Sequence, residues 1–292
     1  MYSAIAANKR NTLIIMSLFV GLIGTVGWSI GYLNSDSSIT VWVLITAVIY
    51  TLVQYFIADK LAVMAMGAHP IEKRDSPRLY RIVENLTIAE GMPMPKIYLI
   101  DDPAPNAFAT GRDPRHAVVG ATTGILELMS DRELNAVMAH EIGHVKNYDI
   151  RVSTIAFGLV SAVSIMSDIA FRTIFWGDRD SDSSPNPIVM IVGIVLILLA
   201  PVIATMIQLA IGRQREYLAD ATGAMTTRDS EGLAMALEKL KGAGRPMQKQ
   251  SSSTAHLFLN DPLKSGKISR LFSTHPPLED RIDRLRKNAT KF

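Results

Sequence analysis

The run His140-Glu141-Ile142-Gly143-His144 carries the residue types and the spacing of a reactive metal centre. On a helix, positions four apart lie on one face, so both imidazoles can reach a single ion. Glu141 then stands beside that ion, able to take a proton from bound water rather than to ligate. Zinc lowers the pKa of such a water towards about 7, and a carboxylate acting as general base delivers the nucleophile to a carbonyl carbon. The pattern predicts amide hydrolysis, with His140 and His144 as metal ligands and Glu141 catalytic.

A third ligand has to come from elsewhere. The usual extension to a third histidine would place Gly at 147 and His at 150, where this chain has Asn147 and Ile150. The chain has no cysteine, which excludes thiolate ligands, thiolate nucleophiles and disulfides. A carboxylate is the alternative, as in sites built from two histidines and a glutamate. The stretch Arg215-Glu216-Tyr217-Leu218-Ala219-Asp220 offers one. Glu216 can complete the ligand set, and Asp220, one helical turn later, can accept a hydrogen bond from the far nitrogen of a ligand histidine. The plain alternatives are two surface histidines and two exposed helix carboxylates; each weakens once the two motifs are taken together.

These residues sit between long apolar runs. Hydrophobic residues make up 48% of the 292, and mean hydropathy is +0.20. Their clustering predicts a membrane protein with a soluble portion. A net charge of +3, without a basic tract and interleaved aromatics, argues against nucleic acid and suits an anionic membrane surface. Lys9 and Arg10 precede an apolar run over 13–33. That run exceeds a signal-peptide core of about 7–15 residues, and no small-x-small site follows it. A polar turn at 34–38 leads to a second run over 39–57, ending at Asp59-Lys60. The third, 152–176, is interrupted by Asp168 and Arg172, which stand four apart and can pair; a re-entrant or surface-lying helix is the alternative there. An acidic loop over 177–187 leads to the most apolar run, 188–211, which Pro201 should kink.

Between and after these runs the pattern is that of a soluble α+β domain. Asp75-Ser76-Pro77 predicts a helix start, with Leu79, Ile82, Val83 and Leu86 on one face and an end near Gly91. Strands are predicted over 96–100, 106–111 and 116–121. Ser130 and Glu133 form a capping box that opens the motif helix, which should run to Lys146. After Gly212, helices are expected over 214–225, 230–241 and 278–287, with a Gly/Ser/Gln-rich linker over 242–254. Lys9, Arg10, Lys60, Lys73, Arg74, Arg151, Arg213 and Arg215 flank the four runs on one side, which predicts a cytoplasmic soluble portion. His144 precedes the third run and Glu216 follows the fourth, so the ligands can meet only at the membrane surface.

In this combination, H-E-x-x-H, Glu216-x-x-x-Asp220, Asn106-Ala107-Phe108 and the four apolar runs resemble the HtpX-type heat-shock membrane proteases. These belong to a broader gluzincin-like group that includes the prenyl-protein (CAAX) endopeptidases. The likeness extends to His275-Pro276-Pro277 near the end of the chain. It implies zinc held by His140, His144 and Glu216, Glu141 as the catalytic residue, and quality-control cleavage of misfolded membrane proteins in the bacterial inner membrane. Asn106-Ala107-Phe108-Ala109 resembles the edge strand with which gluzincins align an extended peptide by strand addition; a purely structural strand is the alternative. An oxyanion needs a donor beyond the metal, and His275 is the candidate, against a capping or core role. His69, His116 and His256 have no partner pattern.

The resulting expectation is a mainly α integral membrane protein with a small β-sheet: four transmembrane helices plus a cytoplasmic gluzincin-like α+β metalloprotease domain. Its parts are a first transmembrane hairpin (1–59), the first part of the protease domain (60–151), a second hairpin (152–211) and the second part of the domain (212–292). One zinc ion, a lipid bilayer and polypeptide substrates, themselves membrane proteins, are the expected partners. An intramembrane protease is disfavoured because the motif helix carries Asp131, Arg132, Glu133, Asn135 and Lys146. The alternative from another class is a non-catalytic membrane scaffold or chaperone with a structural zinc. Such sites close all four positions with protein ligands, whereas three are evident here.

Overall fold

A computed structural model describes residues 2–33, 35–176, 194–195, 214–243, 245–249, 254, 257–259 and 276–289. The chain opens with two long antiparallel helices, α1 (Tyr2–Leu33) and α2 (Ser37–Met66), packed closely on each other. Asp36 caps α2 by accepting from the Ser38 N–H. The helices can approach because Gly27 and Gly31 face Val43 and Thr40, where an added Cβ would lie within 2.6–2.8 Å of its neighbours. Both are long and apolar enough to cross a membrane, over Ile5–Tyr32 and Ser37–Met66. Leu13, Leu18, Trp28, Trp42, Ile49 and Phe56 stand exposed on them, an apolar surface that a lipid environment accepts and water does not.

The apolar run of α2 ends at Asp59-Lys60, but the helix does not. Nothing breaks it until Gly67, whose left-handed φ of 70° terminates it with the Gly67 N–H donating to Met64 O. The extra turns carry Ala62, Val63 and Met66 into the interior of the following domain, against Ile100, Phe108 and Val118. The apolar hairpin is therefore joined to that domain through a continuous helix.

The domain is built on a four-stranded sheet ordered β1 (His69–Pro70), β2 (Lys96–Ile100), β4 (Ala117–Thr122), β3 (Ala107–Gly111). β2 runs parallel to β4, while β3 pairs antiparallel with β4 through a hairpin. Gly111 is required at that hairpin: its φ is 134°, and a Cβ would come within 2.4 Å of His116 O. The two-residue β1, too short to leave a periodic signal, was not expected from the sequence. Neither was the short helix α4 (Thr123–Leu128), capped by Thr122.

Alternation along the strands separates two cores. Ile97, Ala107, Ala109 and Val119 point to helices α3 (Pro77–Ala89), α5 (Asp131–Lys146) and α8 (Ser230–Ala243), contributing to a core with Leu79, Val83, Leu134, Met138, Leu233 and Leu237. Ile100, Phe108 and Val118 point the other way, towards the end of α2 and towards Phe157 of α6 (Asp149–Trp176). Both faces of β3 and β4 are covered, so every residue of these strands is buried. α6 packs on the apolar hairpin through Val152, Ile155, Leu159 and Val163 against Ile15 and Phe19. It is one helix over 28 residues and starts slightly before the expected run. The side chains of Asp168 and Arg172 lie outside the described residues, as do the acidic loop, Pro201 and all but two residues of the fourth apolar run. Helices α7 (Gln214–Thr227) and α9 (Leu278–Lys287) complete the domain close to their expected positions.

Candidate active site

α5 presents the two histidines. Its start is fixed by the expected capping box, in which Ser130 Oγ accepts from the Glu133 N–H and Glu133 accepts from the Ser130 N–H. From there the helix buries His140, Glu141 and Ile142, with His144 on its open side. α7 crosses α5 at close range because each supplies a glycine at the crossing. A Cβ on Gly223 would meet the His140 N at 2.9 Å, and one on Gly143 would meet Ala219 O at 3.3 Å. This crossing brings Glu216 to the histidines from a sequence distance of more than 70 residues.

His140, His144 and Glu216 each offer a ligand atom, all within 4.8 Å of one another. His144 Nε2 lies 3.4 Å from Glu216 Oε1, and His140 Nε2 lies 3.7 Å from Glu216 Oε2. Both rings are held from behind by carboxylates. Asp220 Oδ1 stands 2.9 Å from His140 Nδ1, and Asp149 Oδ2 stands 3.1 Å from His144 Nδ1. A carboxylate accepts, so each Nδ1 carries a proton, and each ring in its neutral form turns an Nε2 lone pair inward. The two Nε2 atoms are 3.1 Å apart. Two lone pairs and a carboxylate converging on one point fit a divalent cation, with the rear carboxylates fixing both rings. Asp220 thus stands where the sequence expectation put it. Asp149 was missed; its position five residues after His144, at a helix start, is its sole sequence signal.

Arg281 was missed as well. It is fully buried on α9, donating to Asp220 through Nε at 2.9 Å and through a terminal nitrogen at 2.6 Å, with another nitrogen 3.2 Å from Glu216 Oε2. It shares the inner face of α9 with Ile282 and Leu285, so a lone arginine on the apolar stripe of a charged helix was the available clue. Burial works against its charge, but Asp220 and Glu216 outweigh burial and push its pKa further up. Burial raises the Asp220 carboxyl, yet Arg281 and the His140 hydrogen bond hold it well below the carboxylate range.

Glu141 is buried, and its Oε1 finds no hydrogen-bond partner among the described residues. Burial pushes its carboxyl up to about 7, where a group can both accept and return a proton near neutrality. Burial alone would lower His144, but the carboxylates of Glu216 and Asp149 raise it to about 9, the response of an imidazole in an anionic pocket. The opposite holds for fully enclosed His140, where burial dominates and lowers the pKa. Glu141, His144 and Glu216 line an open cleft, together with Ala109 of β3 and Leu257–Leu259.

β3 lies at one edge of the sheet, and Asn106 directly precedes it. Its outer side is already engaged: Phe108 forms an antiparallel bridge with Phe258, and Leu259 N–H donates to Ala107 O at 2.9 Å. Asn106 is buried, with Nδ2 3.5 Å from Met247 Sδ. His275 and His256 lie outside the described residues. His69 and His116 stand away from the cluster, near Asp101 and Asp113.

An apolar helical hairpin, a small mixed sheet and a helix carrying two histidines with a glutamate between them define a membrane-associated metalloprotease. A model of Peptidase family M48 matches residues 73–289, and the chain belongs to that family. It is 53% identical over 292 residues to a protein named Protease HtpX homolog from Tropheryma whipplei (strain TW08/27), covering 100% of both chains. A protein of the same name from Streptococcus gordonii (strain Challis) is 40% identical over 296 residues, covering 98% of this chain and 99% of that one. Among solved structures, the fold is similar to the crystal structure of S. mikatae Ste24p, with a TM-score of 0.53 at 20% identity, covering 98% of this chain and 67% of that one.

Proposed function

We propose that the chain is a zinc endopeptidase of the bacterial inner membrane, cutting misfolded or damaged membrane proteins at the cytoplasmic surface. In this reading four membrane-spanning helices, in hairpins over 1–59 and 152–211, carry a protease domain assembled from 60–151 and 212–292. His140, His144 and Glu216 are the residues that would hold the ion, and Asp149 and Asp220 orient the histidines. Zinc bound there supplies a Lewis acid that polarises a peptide carbonyl and acidifies water.

The chain's own residues do the rest. Glu141 takes a proton at its carboxylate and returns it to the departing amine, a role suited to a buried carboxyl whose pKa stands at about 7. Ala107 and Phe108 offer the edge of β3 to an extended peptide, and the cleft beside Glu141 receives the bond to be cut. Donation to the oxyanion is assigned to His275. The membrane-protein substrates and the inner membrane follow the resemblance to HtpX-type proteases, and the exposed apolar faces of α1 and α2 support a site beside lipid.

One observation carries the reading: two inward-facing Nε2 atoms 3.1 Å apart, met by Glu216 and flanked by Glu141 on an open cleft. A structural zinc would need a fourth protein ligand, and the His, Asp and Glu cluster among the described residues has three members. The test is cleavage of a membrane-protein substrate with and without chelator, beside Glu141→Gln. Chelator should stop cleavage, and the variant should keep its zinc while losing roughly 10²–10⁴-fold in rate. Full activity in the variant would refute the proposal.

A further inference from the structure

We infer that Leu257–Leu259 occupy the peptide-docking edge of this protease as an internal stand-in for substrate, which substrate must displace. The inference rests on the peptidase reading above and adds both a regulation of that site and a substrate class. Three observations carry it. The segment adds to β3 in the antiparallel sense, with Phe258 opposite Phe108. It uses main-chain bonding, Leu259 N–H to Ala107 O at 2.9 Å, the kind of contact that holds a peptide by strand addition. It also lines the same cleft as Glu141, His144 and Glu216, so the paired backbone lies beside the metal ligands rather than at a remote edge.

The side chains show what the edge accepts. Phe258 meets Phe108 edge-on, ring centroids 6.0 Å apart, on the sheet face that also holds Leu257. Leu259 turns to the opposite face and joins the core of α5, Ala107 and Ala109. An arriving peptide that reproduces these contacts is extended, with large apolar side chains at successive positions, one against Phe108 and one towards α5. Unfolded stretches of apolar chain present that pattern; folded soluble proteins hide it. Among the described residues the bridge comprises one residue pair, and so short a pairing leans on its side chains. Those side chains therefore set how often the edge is free, and apparent affinity for substrate falls by that free fraction.

The test uses the full-length, zinc-loaded protein in lipid nanodiscs and a quenched fluorogenic peptide of extended apolar sequence. Phe258→Ala should lower KM about tenfold, because a larger fraction of molecules is competent, with kcat held within about twofold. An unchanged or raised KM, with chelator-sensitive turnover by the wild type, overturns the stand-in and leaves the peptidase reading intact. Absence of chelator-sensitive turnover in both proteins overturns the peptidase reading and the inference with it. Should Phe258→Ala fail to fold, hydrogen exchange on zinc-loaded Glu141→Gln decides. Added peptide should deprotect the stretch bearing Leu257–Leu259 while β3 stays protected, and protection unchanged by the peptide overturns the inference.

Discussion

Asn8, on the N-terminal apolar helix, donates a 2.6 Å hydrogen bond to Asp149, whose other carboxylate oxygen faces Nδ1 of His144 at 3.1 Å. A second bond from Asn8, to Asn147 O at 2.8 Å, pins the turn between α5 and α6. The pose of one proposed metal ligand is thereby tied to α1, outside the family match at 73–289. Partners behind a metal-bound histidine orient the ring and raise its basicity; removing one typically weakens metal binding about 10–100-fold. Asp149→Ala should weaken zinc binding within that range by chelator competition, and Asn8→Ala should weaken it less, since Asp149 remains. Unchanged affinity in both variants would remove α1 from the account of the site.

The crossing of α5 and α7 makes a second prediction. Gly223 leaves no room for a side chain against the His140 backbone, so Gly223→Val must push α7 outward. Overpacking of this kind costs about 1–3 kcal/mol, and here the displaced helix carries Glu216. The variant should melt at lower temperature and lose zinc stoichiometry in metal analysis, while secondary structure by circular dichroism stays near wild type. Full zinc occupancy would show that the close crossing does not position the ligand.

Much of this site was legible because its signals are local. The H-E-x-x-H spacing, the Ser130/Glu133 capping box and the strand at 96–100 each lie within a few residues of chain, and each is found where expected. What escaped is long-range or too short to be periodic. Leu257–Leu259 pair with a strand some 150 residues earlier, a partnership that no local pattern encodes. Arg281 looks like one more charge in Leu-Glu-Asp-Arg-Ile-Asp-Arg-Leu-Arg-Lys until the tertiary fold turns it inward. The continuation of α2 beyond its apolar run was not legible, because hydropathy falls at Asp59-Lys60 whereas helix geometry persists to the glycine. Hydropathy reports the solvent around a helix; its caps report its length.

Arg281 joins Asp220 and Glu216 with no exposure to solvent. Removing one partner of a buried ion pair strands the other and costs about 3–5 kcal/mol. Arg281→Met should therefore destabilise the zinc-loaded protein strongly in thermal unfolding. Arg281→Lys should rescue only in part, because a single ammonium cannot reproduce the two-pronged contact with Asp220. Equal stability of the lysine variant and the wild type would show that charge alone, and not the fork, matters here.

Acid should act on the domain through Glu133. Its carboxylate accepts from Ser130 N–H at 2.7 Å, Ser130 Oγ at 2.8 Å and Lys239 Nζ at 2.7 Å. Burial raises its pKa, but these donors outweigh burial and hold it below the ordinary value. A carboxyl depressed in the folded state binds its proton more readily when unfolded. Its stabilising share is therefore complete above the unfolded pKa of about 4.3 and fades as pH falls through the lower folded value. Glu133→Gln should lower unfolding stability at neutral pH by roughly 1–2 kcal/mol, the scale of a lost cap with a charged hydrogen bond. Only below the depressed folded pKa should the two proteins converge, because the wild-type carboxyl is then itself neutral. Denaturant titrations at pH 7 and at low pH measure both gaps, and a difference that stays constant with pH would show that the charge of Glu133 contributes nothing.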